Sequence, residues 1–265
     1  MYILKHKVKI IYIAGYGFSG STLLERMLAV HPQIIGCGEV HNFLNDFHES
    51  EVCSCGLILT LCPYWKSVYA EYLKNDQTLN NLNVFSKINL NENSEIEYFS
   101  DSSKTTLGNI MRPYLLSKKY EVRLIHLSRN GVSCLHSVLK RNHQLIYLKS
   151  FTVAIHWSMA NLFAYLYKFF KPSDYHKIKY EDLIKKTDKE INEIYKFLNI
   201  DNQNHLNTFP KNSKIPLTHQ LSGNAIRKEE HLILKMSNET QKRRTDIPSL
   251  IFKVVSFPIY KLMGY

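Results

Sequence analysis

Residues 8–28 constrain the chain most tightly. Residues 8–14 (Val-Lys-Ile-Ile-Tyr-Ile-Ala) are β-branched and aromatic, the composition of a strand buried in a parallel sheet. Gly15-Tyr-Gly-Phe-Ser-Gly-Ser-Thr22 follows as a loop, and Leu23, Leu24, Met27 and Leu28 then recur at helical spacing, so a helix starts near Ser21. Strand, glycine loop and helix in this order place the loop at the carboxyl end of a parallel strand, where open α/β sheets bind ligands. Glycines such as Gly17 and Gly20 let the backbone approach a phosphate, and the helix N-terminus offers N–H groups and the positive end of a dipole. Ser19, Ser21 and Thr22 add hydroxyl donors. The bland alternative is a tight strand-to-helix turn with no ligand.

The Gly15 to Gly20 spacing is that of a Walker loop, G-x-x-x-x-G-K-[ST], but Ser21 stands where the lysine belongs. That lysine neutralises the outer phosphates of a triphosphate. Its absence argues against ATP or GTP hydrolysis and for a ligand with less charge at this point.

The rest of the chain supplies the partners of this unit. Residues 97–100 and 122–128 read as strands with a helix at 106–117 between them, and 131–141 and 151–170 read as helices. A short strand at 176–178 and an amphipathic helix at 189–198 follow. Residues 40–47 and 64–73 are expected to be helical, whereas 75–95 are rich in Asn, lack a period and read as a loop or mobile insertion. Residues from 199 onward read as loop-rich, with a helical C-terminal tail over about 229–265 that includes the apolar stretch 250–262. Strands alternating with helices predict a P-loop-like three-layer α/β fold, a central parallel sheet flanked by helices with right-handed crossovers. No repeat or low-complexity linker divides the 265 residues, so one domain is expected to span 1–265.

Composition narrows the partners. Hydrophobic residues make up 45% and charged residues 22%, which excludes wholesale disorder. The net charge of +11 favours anionic partners: nucleotides, nucleic acid, an acidic polysaccharide or a membrane surface. Basic clusters are short, as at Lys242-Arg-Arg244, without the basic and aromatic surface that nucleic acid requires, so nucleic acid is not an expected partner. Contact with a membrane surface stays open. The apolar run 10–14 is too short for a signal-peptide core or a membrane span, and five cysteines do not suggest a secreted disulfide framework. A cytoplasmic protein is expected.

A second anion grip is legible at 123–137. Arg129 ends a strand and Ser137 lies eight residues on, two turns along the next helix, so a guanidinium and a hydroxyl can hold one phosphate from two sides.

Gly17-Phe-Ser-Gly-Ser-Thr-Leu-Leu24, then His31-Pro32 and Gly38-Glu39, resembles the donor-phosphate loop of sulfotransferases that use phosphoadenosine phosphosulfate (PAPS), most closely the bacterial branch related to tyrosylprotein sulfotransferases. Arg129 with Ser137 resembles the family site for the extra ribose phosphate of PAPS, with Asn130 where Asp is typical. Trp157 with Asn161, Lys179-Tyr-Glu-Asp-Leu183 and Gly223-Asn-Ala-Ile-Arg227 follow in the family's order. Glu181 and Asp182 are read as acids at the start of a helix, and Arg227 as a ligand of the donor phosphate or a residue that closes a lid. The family usually carries a basic residue before the Ser-Gly pair, where this chain has Phe18.

The resemblance implies transfer of a sulfuryl group from PAPS to an acceptor hydroxyl, with no metal required. Glu39 matches the family's catalytic glutamate, and a carboxylate in a partly dry cleft can take the acceptor's proton. His41 is the alternative base. Lys104, closing Asp101-Ser-Ser-Lys104, resembles the lysine that stabilises the bridging oxygen. The expected acceptor is a carbohydrate or small metabolite, with lipid and peptide open. Two rival readings are a P-loop nucleotide kinase or NTPase, and a catalytically weak PAPS- or polyanion-binding protein.

Cys53, Cys55 and Cys62 also recur in the bacterial branch. With His48 they could in principle ligate zinc, but the Cys-x-Cys spacing is unlike the usual Cys-x-x-Cys pair. A structural loop walling the acceptor cleft is the preferred reading, and no metal is assigned.

Overall fold

The computed structural model describes residues 8–42, 51–74, 79–90, 95–104, 108–141, 144–201, 214–215, 217–229, 232–233 and 246–265. Among these residues, five strands form one all-parallel sheet: β1 (Lys9–Ala14), β2 (Ile34–Gly36), β3 (Tyr98–Asp101), β4 (Glu121–Ser128) and β5 (Tyr175–Lys179), in the order β2-β3-β1-β4-β5. Every residue of β1 pairs with β4, from Lys9 opposite Glu121 to Ala14 opposite His126, so β1 is the central strand.

Side chains alternate across β1, and each face has its own core. Ile10, Tyr12 and Ala14 pack on one side with Trp65, Phe85 and Tyr167. Ile11 and Ile13 face Leu24, Leu28, Ile194 and Leu198 on the other. Burying each large apolar side chain contributes about 1.5–3 kcal/mol. This two-sided burial is why β1 reads as an unbroken apolar run, and it makes the expected three-layer α/β arrangement.

The helices are α1 (Ser21–Leu28), α2 (Trp65–Leu73), α3 (Arg112–Leu116), α4 (Gly131–Leu139), α5 (Ile146–Phe170), α6 (Tyr180–Lys185), α7 (Thr187–Leu198) and α8 (Ile247–Leu262). A two-stranded antiparallel ribbon joins β6 (Lys214–Ile215) to β7 (Leu232–Ile233). Among the described residues, no helix is long and apolar enough to cross a membrane.

Some expected boundaries shift. Strand β2 is too short for its pattern to register, and of the helix expected at 106–117 the described part is a turn at 108–111 followed by α3, with 106 and 107 outside the described residues. The helix expected at 40–47 is a single 3-10 turn at Val40–Asn42, with 43–47 outside the described residues. Within 75–95 the described part is ordered against the core: Val84 and Phe85 are fully buried in a 3-10 turn at Val84–Lys87. Asn-rich segments lack a period there because isolated apolar anchors, not a helix face, attach them. Of the helical tail expected over about 229–265, residues 232–233 are instead a strand and 230–231 and 234–245 lie outside the described residues, while the apolar stretch forms α8, whose Phe252 packs with Trp157 of α5. Lys242, Arg243 and Arg244 lie outside the described residues.

Candidate functional site

The carboxyl ends of all five strands deliver the residues of interest to one edge of the sheet. β1 leads into the glycine loop, β2 into Gly38-Glu39, β3 into Ser102-Ser-Lys104, β4 into Arg129 and β5 into Tyr180. A cleft of about 410 Å³ opens there, lined in part by Gly20, Ser21, Thr22, Lys104, Arg129 and Arg141. Three cations and no carboxylate stand among its described lining residues, so the cleft attracts an anion.

The loop is shaped for close approach. Gly20 caps α1 at φ +95°, a conformation that disfavours residues with a Cβ, and a Cβ there would lie 2.5 Å from the Tyr180 ring. Among the described residues, no side chain caps the first turn of α1. The Ser19 hydroxyl is buried without a hydrogen-bond partner among the described residues. Phe18 itself takes a left-handed φ of 65°, an uncommon state for a non-glycine residue. The loop, the uncapped helix start and the orphaned hydroxyl fit a bound phosphate.

Arg129 reaches this loop directly. Its Nη1 donates to the Phe18 carbonyl at 2.6 Å, and its guanidinium lies over the Tyr180 ring, 4.5 Å from the centroid. Four hydrogen bonds hold its neighbourhood. Trp157 Nε1 donates to the Arg129 carbonyl at 3.2 Å, Asn130 Oδ1 caps α4 by accepting from the N–H groups of Val132 and Ser133, and Glu181 Oε1 accepts from the Asn130 N–H. Glu181, on the first turn of α6, is thus tied to the start of α4. The Tyr265 hydroxyl donates to its other oxygen, joining the chain end to the same network.

Glu39 and Lys104 meet on the opposite side of the loop. Lys104 Nζ sits 2.6 Å from Glu39 Oε1, with Glu39 5% exposed and Lys104 lining the cleft. A Cβ on Gly17 would lie 3.7 Å from Lys104, so the lysine stem passes along the glycine loop. Behind the pair, the buried Glu25 carboxylate accepts from Gly38 N–H (2.8 Å), Ser100 Oγ (2.6 Å), Ser102 Oγ (2.7 Å) and Gln220 Nε2 (2.5 Å). Burial pushes the Glu25 carboxyl up, opposed by these four donors. One side chain of α1 therefore joins the segments that carry Glu39 and Lys104. His41 is half-buried, and loss of water pulls its pKa down.

The remaining predicted residues stand apart. The Ser137 hydroxyl donates to the Ser133 carbonyl at 2.9 Å and does not line the cleft. Arg227 is buried behind the wall formed by Gly223, Asn224 and Ile226, paired with Glu51 Oε1 at 3.1 Å. Sequence reasoning missed Glu25, Arg141 and Tyr180. Glu25 had one signal, as the sole acid of α1 one turn beyond Ser21 on the same face. Arg141 had none: it follows α4, and its guanidinium stacks 4.6 Å from the Phe18 ring centroid.

The chain is an α/β domain whose parallel sheet carries a glycine loop and a cleft lined by three cations at its carboxyl edge. The chain belongs to the sulfotransferase family: the family's sulfotransferase-domain profile matches residues 8–247. Among solved structures, it resembles the sulfotransferase domain from the curacin biosynthetic pathway (20% identity, TM-score 0.66, covering 100% of this chain and 99% of that one). It is also similar to the sulfotransferase domain of the Synechococcus PCC 7002 olefin synthase (15% identity, TM-score 0.64, 98% and 97% covered). Mouse sulfotransferase SULT7A1, solved with PAP, matches at 13% identity and TM-score 0.51, with 98% and 88% covered. At these identities the likeness speaks to the fold. No curated protein matches the sequence.

Proposed function

We propose that the chain transfers a sulfuryl group from PAPS to the hydroxyl of a carbohydrate or small molecule, with Glu39 as general base. The observation that carries this reading is the 2.6 Å pair of Lys104 and Glu39 at the edge of the glycine loop. A base and a cation are both needed near a transferring group, and here the two are paired with each other at the edge of the glycine loop, where a bound donor and acceptor would have to part them.

The acceptor oxygen forms a bond to sulfur as the bond from sulfur to the donor's phosphate oxygen breaks. Glu39 takes the acceptor's proton, and Lys104 faces the negative charge that develops on the departing phosphate. The loop residues Gly17, Ser19, Gly20, Ser21 and Thr22 would hold that phosphate, and Arg129 would meet the second, ribose phosphate. Arg141, stacked on Phe18, would supply a guanidinium beside the loop position where the family usually has a basic residue. Kinship with the bacterial branch related to tyrosylprotein sulfotransferases belongs to this reading, as does one domain spanning 1–265.

The test is a transfer screen with labelled PAPS against sugars, small alcohols, lipids and tyrosine peptides. Sulfation of a hydroxyl by the wild-type chain supports the proposal. Hydrolysis of Mg-ATP with no sulfuryl transfer would replace it with the kinase or NTPase reading.

A further inference from the structure

We propose that Cys53, Cys55, Cys62 and His219 form a zinc site with a structural role, separate from the sulfuryl-transfer site. Their four donor atoms lie within 4.8 Å of one another. His48, the fourth ligand considered from sequence, lies outside the described residues; His219 comes from 157 residues beyond Cys62.

Three of the donor–donor separations are close to the edges of a tetrahedron around one ion. Zn–S bonds of about 2.3 Å and Zn–N bonds of about 2.0–2.1 Å give edges of about 3.8 Å between sulfurs and about 3.5 Å between sulfur and nitrogen. Cys62 Sγ lies 3.4 Å and Cys53 Sγ 3.9 Å from His219 Nδ1, and Cys55 Sγ lies 4.0 Å from Cys62 Sγ. Three thiols and one imidazole are the soft, tetrahedral donor set that zinc takes, and four protein ligands leave no open position.

The backbone fixes each ligand independently. Cys53 N–H donates to Leu57 O and Gly56 N–H to Cys53 O, both at 2.9 Å, a tight turn with Gly56 at φ +88°. That turn brings the two sulfurs of the Cys-x-Cys pair to one centre despite the short spacing. Cys62 N–H donates to Ile58 O at 3.0 Å, just before α2. His219 is held by its N–H on Gly36 O at 3.1 Å, by Trp65 Nε1 on its carbonyl at 2.7 Å and by the Tyr64 ring edge against the imidazole. Cys53 and Cys62 are buried, while Cys55 and His219 are part-exposed and give an entry path.

The ion would join the 53–62 loop to residues 217–222. That second segment runs beside β2 and on to the base: Leu221 N–H donates to Cys37 O, and Glu39 N–H donates to Ser222 O at 3.1 Å. Gly223 follows it and faces Glu39. Zinc binding would therefore stiffen the segment that leads to Gly223 and Asn224 in the wall of the cleft, without entering the reaction.

The experiment is elemental analysis of the full chain purified under reducing conditions without chelator, together with Co²⁺ titration of the reduced protein. One zinc per chain is expected, with intense tetrahedral d–d and thiolate-to-cobalt bands for Co²⁺. His219→Ala is expected to lower metal affinity about tenfold or more, while His219→Cys keeps a four-ligand tetrahedral spectrum, which separates ligation from misfolding. Wild-type protein without stoichiometric zinc and without those cobalt bands overturns the proposal. So does a Cys55–Cys62 disulfide in the freshly isolated chain.

Discussion

The Glu25 carboxylate accepts the backbone N–H of Gly38 at 2.8 Å, one residue before Glu39. Three more donors converge on the same carboxylate, from Ser100, Ser102 and Gln220. A fully buried acid with four donors is the joint between α1, β2, β3 and the segment at 217–222.

Glu25→Ala leaves those donors buried without an acceptor. The expected cost is about 3–5 kcal/mol, read as a lower urea midpoint. Glu25→Gln keeps the volume but points an NH₂ group at donors, so it is expected to be milder in stability and still impaired in turnover. An unchanged midpoint for Glu25→Ala would remove Glu25 from this role.

Glu39→Gln and Lys104→Ala are each expected to lower turnover by about 10²–10⁴-fold while PAP still binds. Single-turnover transfer assays with matched PAP titrations separate the two effects. Wild-type rates for Glu39→Gln would pass the role of base to another group, of which His41 is nearest in sequence.

Arg141→Ala is expected to weaken PAP binding by about tenfold or more, the worth of a charge-assisted hydrogen bond of about 1.5–3 kcal/mol. Phe18→Ala removes the ring on which Arg141 stacks and is expected to act in the same direction. Calorimetry of both variants checks this.

His126 sets an acid limit on stability. It is fully buried in β4 between the Tyr175 hydroxyl (2.8 Å) and Asn161 Oδ1 (3.0 Å), and burial pulls its pKa down to about 4 from 6.5. The unfolded chain binds a proton below pH 6.5 and the folded chain only below about 4, so stability falls as pH drops through that window. The loss is on the order of 3 kcal/mol, and the residue has no such effect above pH 6.5. His126→Gln, which can still donate to Asn161, is expected to flatten the difference in denaturant midpoints between pH 7 and pH 4.5.

Much of the fold was legible because β1, β4 and α1 carry strong local patterns that tertiary contacts reinforce. Ile10 to Ala14 are buried on both faces, and Asn130 caps α4 in the ordinary way. Strand β2 was not legible, since Ile34–Gly36 is too short to display a period and is fixed by pairing with β3. The gathering of Gly20, Glu39, Lys104 and Arg129 at one edge of the sheet was legible, because a loop or strand end carries each of them. It was not where side chains meet across long separations: Glu25 with Gln220, Arg141 with Phe18, and His219 with Cys62 are tertiary contacts without a local signature. Ser137 and Arg227 have the expected spacing, yet their side chains bond to Ser133 and Glu51.

Calorimetric titration of PAP into the wild-type chain and into Arg129→Ala, with Mg-ATP as competitor, tests most directly whether one nucleotide bridges the glycine loop and Arg129. Saturable binding of PAP at one site per chain is expected, weakened about tenfold or more by Arg129→Ala and little disturbed by Mg-ATP. Mg-ATP binding as tightly as PAP, or PAP binding indifferent to the loss of Arg129, would contradict it.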